Sequence, residues 1–539
     1  MSDIEAISQR LGVAKSKRAN WDSGFQEIAD LIMPQAATFN TTRTDGAKRT
    51  EKMFDPSASL ALNKFSAAIE SFASPRNMRW HGLTVTDKSL KNNQRVKEYL
   101  DDVTRVMFDV RYSPRASFAT QSHEAYTSFG AFGTGGMFID DDVKARVIRY
   151  KSLNLASTWV LENHHGQIDT VFRCFSRTLR QIEQRWPGKL PQKLAQKLEK
   201  TPDELIEVVH FVGPREDYDT SRVGYPGMPW RSCYFIESEK HEIEESGFRQ
   251  WPFAIARDLT SADEIYSRSA AWIALPSIKT LNEMKRSMIK AGQKMADPPL
   301  LASEDGVLGA FSQAPGALNF GGLDSNGNQL VKPLMSGARM EIGIELMDKE
   351  RDLIGAGFLA DVYRALVENP SMTATQAMQI ISERAVLVAP VLGRLQEFLG
   401  NVIDREIDIL NHAGQLPEMP QELIEAQGEY RIEYTSPMSR AMRASEGVAI
   451  VRTLEAVTPL AQIDPSVLDR FKLDEAAAEI AEINGVPAKI MRSAEDAQAM
   501  KDGRAQAQQA QQLIDAAPSV TAAAANMTKM QQNLGVPVA

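Results

Sequence analysis

The chain has 539 residues, 43% hydrophobic and 24% charged, an ordinary globular composition but too long for one compact core, so roughly two to four domains are expected. The net charge of −9 and pI near 5.5 argue against gripping nucleic acid as the main task, because phosphate neutralisation favours a basic surface; loose passage of DNA past an acidic wall stays compatible. No stretch reaches the roughly 18 apolar residues of a membrane span, and the acidic start lacks the apolar segment of a secretory signal.

Residues 7–25 predict a helix that continues through Ile28, Leu31 and Ile32 until Pro34 stops it. Residues 36–51, rich in Thr, Lys and Arg with Gly46, read as a loop. Residues 57–72 place Leu60, Leu62, Phe65, Ile69 and Phe72 at helical spacing and end before Pro75. A short strand is expected over 80–85. A helix follows over 93–112, with Val96, Tyr99, Leu100, Val103 and Met107 on one stripe.

From residue 130 the period becomes that of strands, at 135–139, 146–150, 158–161 and 170–173, with a hairpin turn at Asn163-His164-His165-Gly166. A charge-rich helix over 178–199 interrupts them, and 206–212 and 233–239 add two strands. The pattern is α+β with an antiparallel sheet, not alternating βαβ units.

After Trp251-Pro252 helices take over, and the chain is predominantly helical from there. Residues 267–295 predict a long helix containing Pro276 and ended by Pro298-Pro299. Residues 297–334 are rich in Gly, Pro and Ser yet carry Val307, Leu308, Phe311, Leu318 and Phe320, which suits a compact module. A second helix is expected over 335–354, then a second break over 355–371. The longest helix opens at Thr373, where Thr373-Ala374-Thr375-Gln376 has capping-box spacing, and runs to His412 with a kink at Pro390. Helices are expected at 445–457 and 465–484. Residues 502–533, dominated by Ala and Gln, suit a polar helix that needs neighbours or a partly disordered tail.

Motifs that carry chemistry are weak. The Gly-rich 130–136 lacks the Lys of a phosphate loop and stands between a helix and a strand, so a tight turn is expected. Asp140-Asp141-Asp142 is not followed by alternating oxygen ligands and reads as an acidic turn. His164-His165 could bind a metal, but the two rings are expected to point apart. His123-Glu124 lacks the second histidine of a zinc-protease helix. Cys174 and Cys233 are expected as buried thiols, with a single disulfide as the alternative. No catalytic residue, metal ligand or cofactor is assigned. Among Lys279, Lys285, Arg286, Lys290 and Lys294, the row Arg286, Lys290, Lys294 follows i, i+4, i+8 and shares one helix face. It is either a solvated surface or a stripe beside a polyanion.

A series of segments in order, spanning about 21–420, resembles the portal, or head-to-tail connector, proteins of short-tailed bacteriophages. They begin with Trp21, Phe25, Ile28 and Ile32-Met33-Pro34, then Lys48-Arg49, Phe54-Asp55 and Arg79-Trp80. Phe129-Gly130 to Phe138 and Trp251-Pro252-Phe253 come next, followed by Tyr266-Ser267-Arg268-Ser269 through Leu275-Pro276, Leu281-Asn282 and Pro298-Pro299. Thr373-Ala374-Thr375-Gln376 and Leu416-Pro417 close the series.

The resemblance implies a virion protein at a capsid vertex, a homo-oligomeric ring of about twelve subunits through which double-stranded DNA is packaged and ejected. It implies an α+β wing (1–266), a first stem helix (267–296), a clip (297–334), a second stem helix (335–354), a tunnel loop (355–371), a long wing helix with its following segment (372–440) and a helical crown (441–539). The implied partners are a terminase packaging motor, head-to-tail adaptor and tail proteins, and major capsid and scaffolding proteins, with no membrane. The DNA-facing candidates are then Arg286, Lys290 and Lys294 on the stem and Arg364, Glu368 and Asn369 in the tunnel loop. The alternatives are another virion protein, such as an internal core or ejection protein, and a nucleic-acid enzyme.

Overall fold

The structure, a computed structural model, describes residues 3–36, 38–41, 46–91, 93–143, 145–302, 312, 318, 323, 326–333, 340–359, 374–425, 430–435, 437–484, 486, 490–492 and 496–508. The elements in chain order begin with α1 (Asp3–Ile32), α2 (Ser57–Ala73), β1 (His81–Val85), α3 (Lys88–Lys91), α4 (Gln94–Arg111) and α5 (Phe118–Phe132). The strand-rich region holds β2 (Thr134–Asp142), β3 (Val147–Ser152), β4 (Thr158–Glu162), β5 (Ile168–Thr178), α6 (Leu179–Arg185), α7 (Gln192–Leu198), β6 (Leu205–Pro214), β7 (Trp230–Ile236), β8 (His241–Phe248) and β9 (Phe253–Arg257). Then come α8 (Ala270–Ala296), β10 (Leu300–Ala302), β11 (Val331–Pro333), α9 (Met340–Gly357), α10 (Ala374–His412), α11 (Gln421–Glu425), β12 (Tyr430–Tyr434), α12 (Pro437–Ile463) and α13 (Leu473–Asn484). The fold is α+β and mostly helical, as the sequence pattern implies.

Residues 1–78 and 109–414 form one unit. Its larger sheet is antiparallel with order β4-β5-β6-β7-β8, and a second has order β3-β2-β9. Ile4, Ile7, Leu11 and Ala14 repeat at helical spacing along α1 and cover Phe172, Cys174, Val209, Phe211, Cys233 and Phe235 on one sheet face. One turn further on, the buried Arg18 donates to the carbonyls of Leu155 (2.6 Å), Thr158 (2.7 Å) and Ala156 (3.0 Å). It thereby gathers the carbonyls of the bend that leads into β4. Beyond it, Trp21 and Phe25 stack at 5.8 Å, and Tyr266 and Trp272 join them. Gly24 lets α1 and α8 meet there, since a Cβ would fall 2.2 Å from the Trp272 ring.

The Gly-rich stretch is the tight turn that its sequence context predicts. Gly133 caps α5 at φ +79°, where a Cβ would lie 2.5 Å from the Ser267 carbonyl. A Cβ on Gly135 would come within 2.2 Å of the Ala125 carbonyl, so only glycine lets β2 run back so close beneath α5.

Residues 79–108 and 415–539 form the other unit. Strands β1 and β12 pair antiparallel, His81 opposite Tyr434 and Val85 opposite Tyr430. Val85, Leu90, Val96, Leu100 and Leu423 make its core.

Some expectations shift. The single helix over 178–199 is two short ones, α6 and α7, because Pro187, Gly188 (φ +70°) and Pro191 break the ladder between them. The second helix of the pair is described over Met340–Gly357, past the expected end at 354, and residues 335–339 lie outside the described residues. Strands β8, β9 and β12 carry no strong alternation and were not expected; β8 is a Glu-rich sheet edge, where polar side chains are the rule. Thr373 and most of 297–334 lie outside the described residues, and from that module the structure gives the β10–β11 pair.

Candidate functional site

Helices α8 and α9 pack along one another. A Cβ on Gly343 would lie 2.8 Å from Met288 Sδ, and one on Gly357 would lie 3.4 Å from Ala274 Cβ, so the two helices run antiparallel. Ser269 starts α8 by accepting from the Trp272 N–H (3.4 Å), a serine N-cap. The pair is braced by the segment before α2. Asn282 Oδ1 accepts the Phe54 N–H (2.7 Å), its Nδ2 donates to the Lys52 carbonyl (2.7 Å), and Arg351 meets Asp55 at 2.6 Å. Burial alone would raise the Asp55 carboxyl, but the Ser57 hydrogen bonds and Arg351 outweigh it and hold it below the usual range.

The inner face of α9 is closed by Met347, Ile354 and Phe358. Its flanks are not. Ile342, Leu346 and Leu353 share one exposed flank at i, i+4 and i+11, while Ile344 lies on another. Ile273, Ile289 and Met295 are exposed on α8. Exposed aliphatic side chains at this density along a helical hairpin are a surface that wants cover.

Arg286, Lys290 and Lys294 are exposed on α8, interleaved with the exposed Ile289 and beside the flank that carries Ile273 and Met295. Arg286 lies 5.7 Å from the Phe54 ring centroid and 3.5 Å from Glu283. Lys290 and Lys294 form no ion pair among the described residues. Lys279, on the same flank, contacts Glu27 at 2.6 Å. Arg364, Glu368 and Asn369 lie outside the described residues.

The remaining candidates resolve as local structure. Asp140, Asp141 and Asp142 end strand β2, opposite Arg149, Ile148 and Val147, rather than forming a turn. Asp142 accepts the Ala145 N–H (3.1 Å) and pairs with Arg149 (3.0 Å) where the chain turns into β3. His164 and His165 do not point apart: their ring centroids are 3.7 Å apart, because the turn, held by Asn163 Oδ1 and Gly166 (φ +75°), curls both side chains together. No third ligand joins them, and no cluster of metal-ligating side chains occurs among the described residues. His123 contacts Glu70 at 3.0 Å. Cys174 and Cys233 are free and buried, and burial pushes the Cys174 thiol up to about 12. No helix among the described residues is long and apolar enough to cross a membrane.

Sequence reasoning missed the polar groups that fix α10 to the elements around it. Arg394 binds the buried Asp258, beside the β9 end, and Arg111 binds Glu406. Neither pair has a local sequence signature, because its members lie more than a hundred residues apart.

A profile of the family described as bacteriophage head to tail connecting protein matches residues 5–491. The portal protein of Salmonella phage epsilon15 is 26% identical over 98% of this chain and 96% of its own length. The probable portal protein of Bordetella phage BPP-1 is 27% identical over 95% and 93%. Among solved structures, a chain of the virion of a native gene transfer agent particle aligns at 12% identity with a TM-score of 0.34, covering 74% of this chain and 84% of that one. The match to the family runs through both units, and the chain belongs to the bacteriophage head-to-tail connecting proteins.

Proposed function

We propose that copies of this chain close into a ring of about twelve subunits at a capsid vertex of the virion, with double-stranded DNA passing through the centre during packaging and ejection. The observation that carries the proposal is the α8–α9 hairpin, with exposed aliphatic side chains on unlike flanks, Ile342, Leu346 and Leu353 on one and Ile344 on another. Unlike flanks that meet head to tail between copies generate a ring where the rotation closes, rather than a two-fold dimer. The names of the two relatives, portal protein and probable portal protein, agree with this reading.

In this reading 267–296 and 335–354 are the stem, 297–334 is the clip that docks the terminase motor and the tail adaptors, and 355–371 is the tunnel loop. Residues 1–266 form a wing toward capsid and scaffolding proteins, 372–440 the wing helix and 441–539 the crown. Arg286, Lys290 and Lys294 form a local basic row in an otherwise acidic channel subunit, where general repulsion keeps DNA sliding. The chain itself is structural, with nucleotide hydrolysis left to the motor.

Electron microscopy of the purified chain tests the assembly. Rings with a central channel are expected; monomers or sheets at high concentration overturn it. A divalent-metal-dependent nuclease or ATPase activity lost on one Asp or Glu substitution overturns the structural assignment.

A further inference from the structure

Strand β5 alternates two chemistries. Phe172 and Cys174 face α1, and Arg173, Phe175 and Arg177 take the opposite face. On that face α6 crosses, and Leu179, Ile182 and Trp186 pack on Val208, Tyr234, Ile236 and Ile243. A cavity of 340 Å³ opens at the edge of this layer, lined by Phe175, Arg177, Gln181, Gln184, Arg185 and Trp186.

Its cations are held by rings rather than by carboxylates. The Arg177 guanidinium lies 5.0 Å from the Phe175 centroid, and that of Arg185 lies 4.5 Å from Trp186 and 4.9 Å from Tyr234. Arg185 donates once, to the Tyr234 hydroxyl (3.3 Å), and Arg177 once, to the Ser176 carbonyl (3.1 Å). Contact with an aromatic face fixes a guanidinium while leaving most of its N–H edge for another acceptor.

Two more cations stand close. Arg173 donates to His210 Nδ1 (3.1 and 2.6 Å), and Lys151 lies on β3. None of Arg173, Arg177, Arg185 and Lys151 forms an ion pair among the described residues, in a chain whose net charge is −9. The nearby carboxylates offset them only in part: Glu244 accepts the Trp186 indole N–H at 2.6 Å, Asp140 lies within the field of Arg173 and Arg185, and two carboxylates stand against four cations. Burial, then repulsion from Arg173, Arg177 and Arg185, holds the Lys151 ammonium below its usual range. The group carries a surplus of positive charge that a bound anion relieves.

We propose that this cavity binds a phosphate oxyanion, held between the guanidinium edges of Arg177 and Arg185 with the amide of Gln184 at its rim. Paired N–H donors suit phosphate geometry, and charge-assisted bonds of this kind are the strong ones. The phosphate is either a free ion or part of a nucleic-acid backbone, and both present the same oxygens.

Calorimetric titration of the full chain with inorganic phosphate, at constant ionic strength in chloride, tests this. Saturable binding is expected, weakened at least about tenfold in R177Q/R185Q and by less in R177K/R185K, which keeps the charge but loses the fork. Gln184 is exposed, so Q184E leaves the core intact and sets a carboxylate at the rim; binding should vanish. A short DNA duplex lacking terminal phosphates then separates the sources. Competition with inorganic phosphate points to the backbone, and its absence points to the free ion. No saturable binding by the wild type, or undiminished binding by Q184E, overturns the proposal. So does a wild type that ignores phosphate while R177Q/R185Q fails to assemble, since the arginines then serve an acidic surface of a neighbouring copy.

Discussion

Arg111 and Glu406 form a two-pronged ion pair with no access to water. Nε meets Oε1 at 2.9 Å and Nη2 meets Oε2 at 2.5 Å, and the side chains are 0% and 1% exposed. Tyr150 donates its hydroxyl to the same Oε1 at 2.6 Å. Burial, and then the Glu406 charge, raise the phenol well above its ordinary value, so it stays a donor. The three groups tie the C-terminal part of α10 to β3 and to the end of α4.

Removing one member leaves a charge buried without its partner. E406Q or R111M should each cost about 3–5 kcal/mol, read from urea denaturation. The apolar double replacement R111M/E406L should recover a large part of that loss. An additive double variant would show that the two side chains do not act as a pair.

Two glycines separate steric from conformational cost. At Gly135 a Cβ meets a carbonyl at 2.2 Å, whereas Gly166 has φ +75° and open space around it. G166A should lower stability by about 1 kcal/mol through backbone strain. G135A must displace α5 from β2 and should cost about 3 kcal/mol or prevent folding. Equal melting temperatures for the two variants would contradict the close approach.

His210 is fully buried, stacked on Tyr234 at 4.0 Å, and its Nε2 contacts the Ser232 hydroxyl at 3.0 Å. Burial, then the charges of Arg173 and Arg185, depress its pKa well below 6.5. The unfolded chain therefore takes up a proton that the folded chain refuses. Stability is intact above pH 6.5 and falls as the pH drops below it, with a slope of about 1.4 kcal/mol per pH unit from this one group. H210Q should flatten the fall between pH 6.5 and 5, seen as a smaller change in the urea midpoint.

The flank of α9 offers a test of assembly separate from folding. Leu346 and Leu353 are 43% and 60% exposed, so L346E/L353E should leave the circular dichroism and melting temperature of the isolated chain unchanged. Sedimentation velocity should show rings replaced by single chains. Undisturbed rings would place the contact between copies elsewhere.

Much of the fold is legible in the sequence where a single element carries its own pattern. The apolar spacing in α1, α2 and α8 and the stop at Pro34 are local signals, and each gives its helix within a few residues. What stays hidden depends on partners far along the chain. Strand β12 means nothing until β1 is beside it, and Arg18 looks like a surface residue until three carbonyls close around it. The cavity beside β5 is local in sequence, yet it is hidden too, since Arg177 and Arg185 become neighbours only once the chain turns at Thr178 into α6. The basic row on α8 was visible because helical periodicity alone assembles it.

The pairing of His81–Val85 with Tyr430–Tyr434 sets an order of events on the ribosome. At elongation rates of about 5–20 residues per second, the first strand leaves the exit tunnel tens of seconds before its mate. Through that interval β1 is a nascent edge with unpaired amides, open to wrong pairing with neighbouring chains on a polysome. Slowing translation between the two strands should therefore raise the yield of aggregated product.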